Sequence, residues 1–181
     1  PQKFDILYWN NDIVDLPLPM HSFYMESLYY KNQFAKGEFV VDGIKLDLGA
    51  IDYPVYIFAA QKDHIVPWDA AFKSIALLKN AQVKFVLGAS GHTAGVVNPA
   101  ASGKRNYWVN DNVVENKTEW FNTATSMPGS WWVDADAWLV GLSGKQIKAV
   151  AVGNKEYPAL CVAPGEYVKA KGLTIVEAES I

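Results

Sequence analysis

Cysteine is all but absent from this chain: Cys161 is the single thiol among 181 residues. That excludes an internal disulfide and fits a reducing compartment. Charge imbalance is missing too. A formal net charge of -3 gives no basic surface for nucleic acid and little pull toward an anionic membrane. No run of like charges marks an interaction tail, and no repeat or low-complexity stretch interrupts the sequence. No apolar run approaches the roughly 18 residues of a membrane span. The opening Pro1-Gln2-Lys3-Phe4-Asp5 does not read as a signal peptide. A start at proline without methionine reads as a piece of something longer, or as a processed or trimmed chain.

What is present is apolar and aromatic. Half of the residues are hydrophobic and seven are tryptophan, a globular composition at a length that fits one domain with a sizeable core. The first 38 residues are aromatic and irregular. Leu16-Pro17-Leu18-Pro19 forbids a regular helix there, whereas Met20, Phe23, Tyr24 and Leu28 give helical spacing over 20–35, with Gly37 as the stop. This section covers a substrate channel, meets another subunit, or packs as ordinary core on a sheet; its residues leave all three open. His21 lies within it without an obvious partner. Asp42-Gly43 between apolar residues predicts a small hairpin.

The informative stretch is 55–95. Residues 54–60 are an almost unbroken apolar run, as expected of a parallel strand buried on both faces under helices. A helical stripe of Trp68, Ala71, Phe72, Ile75 and Leu78 over 68–80 follows, then a second strand over 83–87. Strand, helix and strand with short connections form a βαβ unit, whose crossover is right-handed. Asp63 and His92 each come just past the C-terminal end of one of these strands, the edge where open α/β sheets bind ligands. The 28 residues between them suit two loops, one helix and one strand. The fold class is therefore α/β, with an acid and a base on one sheet edge.

That pairing has a chemical use. Imidazole is a serviceable base near neutral pH, and a carboxylate on its far nitrogen fixes the tautomer and stabilises the imidazolium. Gly88, Gly91 and Gly95 leave room for the histidine loop to turn and for a substrate to approach. Taken alone, Asp63 reads equally as a cap for the helix at Trp68, and a lone histidine in a glycine-rich loop is usually not catalytic. Their order after adjacent strands favours the pair. His64, beside the acid rather than across from it, reads as a supporting residue.

A nucleophile on a Gly-x-Ser-x-Gly or Gly-x-Cys-x-Gly strand-to-helix turn is what this pair calls for, and none is found. Gly88-Ala89-Ser90-Gly91-His92 fails at its fifth position. Gly91-His92-Thr93-Ala94-Gly95 matches with threonine but contains the base itself. Cys161 has no flanking glycines and reads as a buried small hydrophobe. The turn is expected upstream of Pro1.

Beyond His92, Lys104-Arg105-Asn106-Tyr107-Trp108 reads as a solvated surface loop, or as cations for an anionic substrate. A short helix is expected over 117–124. Ser130 caps another, with Trp132, Ala135, Trp138, Leu139 and Leu142 as its apolar stripe. Turn signals at Gly153-Asn154 and Pro164-Gly165 mark the tail.

Several blocks occur in one order over nearly the whole chain: Phe4-Asp5-Ile6-Leu7-Tyr8-Trp9-Asn10, Leu16-Pro17 to Met20, Asp63-His64-Ile65-Val66-Pro67-Trp68, Gly88-Ala89-Ser90-Gly91-His92-x-Ala94-Gly95-Val96-x-Asn98-Pro99, Gly129-Ser130-Trp131-Trp132 and Pro164-Gly165-x-Tyr167-Val168. Together they resemble the C-terminal part of the catalytic domain of class I polyhydroxyalkanoate synthases. The resemblance implies an α/β-hydrolase-like fold in which 1–38 is a cap- or lid-like segment, 39–145 the C-terminal part of the core with the acid and base loops, and 146–181 the domain's tail. It implies transfer of (R)-3-hydroxyacyl groups from CoA to a growing polyester (poly-3-hydroxybutyrate among them) through a cysteine thioester. His92 would be the base and Asp63 its orienting acid, with a share in activating the 3-hydroxyl of the growing chain. Ile65 and Ala94 would be acyl-pocket walls. The partners implied are the CoA thioester as substrate, with no cofactor or metal, the missing N-terminal half, a second subunit through the cap, and the surface of cytoplasmic polyester granules.

The family's cysteine motif and oxyanion strand are not in this chain, so the chain alone is expected to be inactive. A lipase or thioesterase would share the two loops and release acid instead of polymer. A non-catalytic dimerisation or granule-attachment piece is the third reading. An isolated half-sheet also exposes a bare strand edge, from which self-association or a missing partner segment is expected.

Overall fold

The computed structural model describes residues 13–112, 114, 116–163, 165 and 166. The aromatic opening at 4–10, Pro164 and the Tyr167-Val168 pair lie outside the described residues. The chain divides into two compact units, Pro1–Tyr24 with Gln146–Ile181, and Met25–Lys145.

In the first unit, helix α1 (Leu18–Tyr24) begins between the two prolines, contrary to the expected break: Pro19 lies in its first turn, where a missing amide costs no intrahelical bond, and the His21 amide donates to the Pro17 carbonyl. The described part of the tail holds no helix or strand and is organised by turns. At Gly153-Asn154 the Asn154 carboxamide accepts from the Glu156 and Tyr157 amides, and Gly153 takes a φ of +73°. Cys161 is exposed, contrary to the expected burial. The segment around it forms no regular element with an inner face in which a thiol could be covered.

The second unit opens with a π-helix, Met25–Tyr30. The single helix expected over 20–35 is thus an α-turn succeeded by a wider π-turn, and it stops at Tyr30. Asn32 takes the left-handed conformation that ends a helix, and Gly37 closes the following turn at φ +67°. Strands β1 (Val40–Val41) and β2 (Ile44–Lys45) pair around Asp42 and Gly43, both at positive φ as a type I′ turn requires.

The sheet that carries the site has four strands in the order β3-β4-β5-β6: β3 (Val55–Ala60), β4 (Val83–Gly88), β5 (Asn106–Val109) and β6 (Thr125–Pro128). β3 and β4 are parallel, in register from Val55 opposite Val83 to Ala60 opposite Gly88. Helix α2 (Trp68–Lys73), tightened into a 3-10 turn over Ser74–Leu77, connects them. The expected βαβ unit is therefore present with a shorter helix. β3 is not buried along its whole length, because it stands at one end of the sheet; only Ala59 and Ala60 are fully covered. β5 and β6 add antiparallel strands that sequence reasoning did not find. Of the stretch expected as a solvated loop, Lys104 and Arg105 are exposed before the strand, whereas 106–108 belong to β5, whose Tyr107 points inward between half-buried Asn106 and Trp108. Its four residues are too few to display an alternating pattern against the lysine and arginine before them.

Alternation along β3 and β4 sends side chains to two opposite layers. Ile57, Ala59, Phe85 and Leu87 face α2 and helix α4 (Lys117–Thr123, capped by the Asn116 side chain). There Phe85 meets Phe72 and Trp120 edge-on, at 5.1 and 5.0 Å between ring centroids. Tyr56 and Phe58 face helix α5 (Trp131–Leu142). Ser130 caps α5 as expected, accepting from the Trp132 amide. The expected apolar stripe is wrong by about one residue: Trp131, Asp134, Ala135 and Trp138 turn inward, while Trp132, Leu139 and Leu142 are exposed. Asp134 takes an inner position among these residues, which an apolar stripe does not anticipate. It is accommodated there by the Tyr56 hydroxyl at 2.9 Å and the Lys84 ammonium at 2.8 Å.

Candidate active site

Beyond the ends of β3 and β4 the parallel ladder continues for two more bonds. The Gln61 amide donates to the Gly88 carbonyl and the Lys62 amide to the Ser90 carbonyl. These bonds hold the acid loop and the base loop side by side. In the acid loop the Asp63 amide turns back to the Ala60 carbonyl, and carboxylate oxygen Oδ1 accepts from the amides of Ile65 and Val66 at 2.9 and 2.8 Å. This is an Asx turn. It uses one carboxylate oxygen to shape the loop and leaves the other free to point across it.

The base loop turns through Ser90, a non-glycine residue at φ +87°. His92 then begins helix α3 (His92–Val96). The expected glycines serve close approach more than turning. A Cβ on Gly88 would lie 2.6 Å from the Phe58 ring, and one on Gly95 would lie 2.7 Å from the Ala60 Cβ. Only glycine lets the loop and α3 settle this closely on β3.

The result is a contact of 2.8 Å between His92 Nδ1 and Asp63 Oδ2. The Asp63 side chain is 7% exposed and that of His92 40%, so the acid is covered while the base opens to solvent. Burial opposes ionisation of Asp63 most strongly, but hydrogen bonds from the Val66 amide, His92 and the Ile65 amide together outweigh it. They hold the carboxyl below the ordinary carboxylate range. An ionised Asp63 accepts the Nδ1 proton, which leaves the basic lone pair on Nε2. The geometry suits a histidine oriented for proton abstraction.

The other sequence candidates divide around this pair. Asp63 does not cap α2, whose first turn follows Pro67 without a side-chain cap. His64 is exposed beside the loop. Ile65 touches the acid through its amide and is 62% exposed. Ala94 is half-buried on α3, two residues after the base. Lys104 is exposed, and Arg105 donates to the Asn98 side chain at 3.2 Å. Among the described residues, no serine, threonine or cysteine hydrogen-bonds to His92, and no cluster of three or more His, Cys, Asp or Glu forms a metal site. No helix among them is long and apolar enough to cross a membrane. Sequence reasoning missed what Trp131 and Trp132 do near the site: their indole nitrogens donate to the carbonyls of Gly95 and Val96 on α3. The paired tryptophans were visible, but a contact across 36 residues has no local signature.

No protein-family model matches the chain. It is similar to the poly(3-hydroxyalkanoate) polymerase subunit PhaC of Cupriavidus necator, 47% identical over 94% of this chain and 29% of the relative. The corresponding protein of Rhizobium meliloti is 36% identical over 94% of this chain and 28% of its own length. The poly(3-hydroxyalkanoate) polymerase of Methylorubrum extorquens is 37% identical with the same coverage, 94% and 28%. The chain thus spans under a third of the length of the curated relatives it matches, and over that segment it is similar to the C-terminal part of poly(3-hydroxyalkanoate) polymerases.

Proposed function

We propose that this chain supplies the acid and the base of a Cys-His-Asp triad in a polyester synthase of α/β-hydrolase-like fold, the cysteine being contributed by the missing N-terminal part. In the intact enzyme, His92 Nε2 takes the proton from the cysteine thiol and Asp63 stabilises the imidazolium that forms. The thiolate attacks the carbonyl of an (R)-3-hydroxyacyl-CoA thioester. The bond to the CoA sulfur breaks, and the proton held by His92 goes to the departing CoA. The acyl group, now an enzyme thioester, is taken by the 3-hydroxyl of the growing polyester, and His92 is placed to accept that proton too. The reaction needs no cofactor beyond the CoA thioester itself. Ile65 and Ala94 border the pair as acyl-pocket walls, and a small residue at Ala94 leaves space for the monomer's side chain. Dimerisation through the aromatic N-terminal section and residence on cytoplasmic polyester granules complete the proposal.

The observation that carries it is the 2.8 Å contact between Asp63 and His92, just past adjacent parallel strands, in a chain with this ancestry. The test is release of CoA thiol from (R)-3-hydroxybutyryl-CoA, by this chain alone and with its upstream part supplied. We expect no release by the chain alone, release by the two together, and loss of at least about 1,000-fold on His92→Ala, as for removal of one triad member. Recovery of polymer separates a synthase from a thioesterase, and a bulkier residue at Ala94 should alter monomer preference in the same assay. Release by this chain alone would place the nucleophile elsewhere, at Cys161 or Thr93, and end the proposal.

A further inference from the structure

We propose that Trp131 is a positioning residue that fixes His92 against Asp63, by tying the helix of the base to the strand of the acid. The inference rests on the reading of Asp63 and His92 as an acid–base pair.

Helix α3 has five residues, far fewer than an isolated helix needs to persist in water. Its direction must therefore be set by tertiary contacts. Its ends are tied by short-range bonds, Gly95 to the Gly91 carbonyl, Val97 to the Thr93 carbonyl and Asn98 to the Val96 carbonyl. The Gly95 carbonyl near its far end needs another donor; the start of α5 supplies it, and adds a second donor to the Val96 carbonyl. Trp131 Nε1 donates to the Gly95 carbonyl at 3.0 Å and Trp132 Nε1 to the Val96 carbonyl at 2.9 Å. The Ser130 hydroxyl donates to the Asn98 carbonyl while accepting the Trp132 amide that caps α5. Ser130 and Asn98 are both buried.

Trp131 differs from its neighbours in what its ring does. It stacks on Phe58 of β3, with centroids 4.0 Å apart and planes 20° from parallel. Phe58 fills the space that glycine leaves at position 88, and β3 ends three residues before Asp63. One indole thus presses on the strand that delivers the acid and hydrogen-bonds to the helix that starts with the base. Trp132 shares the second contact without that first one, and its side of α5 is exposed. Since a shift of about 1 Å in a reacting group can lower a rate 100-fold, the tie is at the scale that matters.

The test reads the pair directly in the 181-residue chain, by proton and nitrogen NMR of the imidazoles. The unmodified chain should show a downfield His92 Nδ1 proton shared with Asp63, with Nε2 the unprotonated nitrogen. Replacing Trp131 by 3-benzothienylalanine keeps the bicyclic ring on Phe58 and puts sulfur where the donor was. We expect the downfield signal to broaden or vanish, with the unfolding transition still cooperative. Trp131→Phe should act in the same direction and Trp132→Phe less. A signal unchanged in the benzothienyl variant would reduce Trp131 to packing and overturn the inference. Absence of the signal in the unmodified chain would overturn the acid–base reading, and this inference with it.

Discussion

On one face of the four-stranded sheet, Phe85, Leu87 and Trp120 are completely buried and the Phe72, Phe85 and Trp120 rings meet edge-on. On the other, helix α5 covers Tyr56 and Phe58 without a single fully buried residue of its own, and a carboxylate, an ammonium and a phenol meet there. The same two strands feed both layers. The first face is an aromatic core whose energy comes from area removed from water, about 25 cal/mol per Å². The second is assembled from directed bonds, which add less stability but hold elements in one orientation. The side that touches α3 is the directed one. Stability and alignment of the site are therefore carried by different layers, and substitutions should separate them.

The largest effect should come from the aromatic face. Trp120→Ala empties a fully buried site and should lower unfolding free energy by about 3–5 kcal/mol, read from denaturant midpoints. The indole nitrogen of Trp120 has no partner among the described residues, so the loss is one of packing. A loss below about 1 kcal/mol would mean that this face does not carry the fold.

A smaller effect is expected on the directed face. Asp134→Asn leaves the Lys84 ammonium without its counter-charge and weakens the bond from the Tyr56 hydroxyl. Lys84 is about one-third exposed, so solvent screens much of the change and a loss of about 1 kcal/mol is expected. A spectroscopic signature should accompany it. The Tyr56 phenol is pushed up by burial first, then by the hydrogen bond and charge of Asp134. Removing that charge should bring its titration down. A phenol titration that does not move would break the assignment of Asp134 to this layer's polar contacts.

The smallest change in stability should come from the site itself, and it should depend on pH. Asp63 is held below the ordinary carboxylate range of about 4. Its contribution is therefore fully present above about pH 4 and is lost as pH falls through its lower folded value. The Asp63→Asn variant should show a flatter acid limb in a plot of unfolding midpoint against pH, slightly less stable than the unmodified chain at neutral pH and converging with it in acid. An unchanged acid limb would mean that the His92 contact does not bias Asp63.

Much of this was legible in the residues because it is local. Asp42-Gly43 marks the turn between β1 and β2, Ser130 sits where a helix start needs a side-chain acceptor, and apolar runs at 54–60 and 83–87 became β3 and β4. What was misread is non-local. β5 and β6 exist because β4 offers an edge to pair with, and their four residues each carry too little alternation to be seen alone. On helix α5 the expected Ala135 and Trp138 face inward, but Trp132, Leu139 and Leu142 do not, and Asp134 is tolerated inward only because Lys84 and Tyr56, 50 and 78 residues away, satisfy it. Cys161 was expected inside by its type, yet its surroundings form no layer to hide it.

The sequence alone determined that an acid and a base follow consecutive parallel strands, because the length and apolar pattern of a βαβ unit put both loops on one edge. It also carried the similarity to poly(3-hydroxyalkanoate) polymerases, through the order of the blocks that carry that edge. Only the tertiary structure decided how firmly the pair is held. The 2.8 Å contact, the Asx turn that frees one oxygen of Asp63, and the Trp131 bridge from Phe58 to Gly95 depend on distances between elements remote in sequence. Such distances are fixed by the packing of whole faces rather than by any local preference.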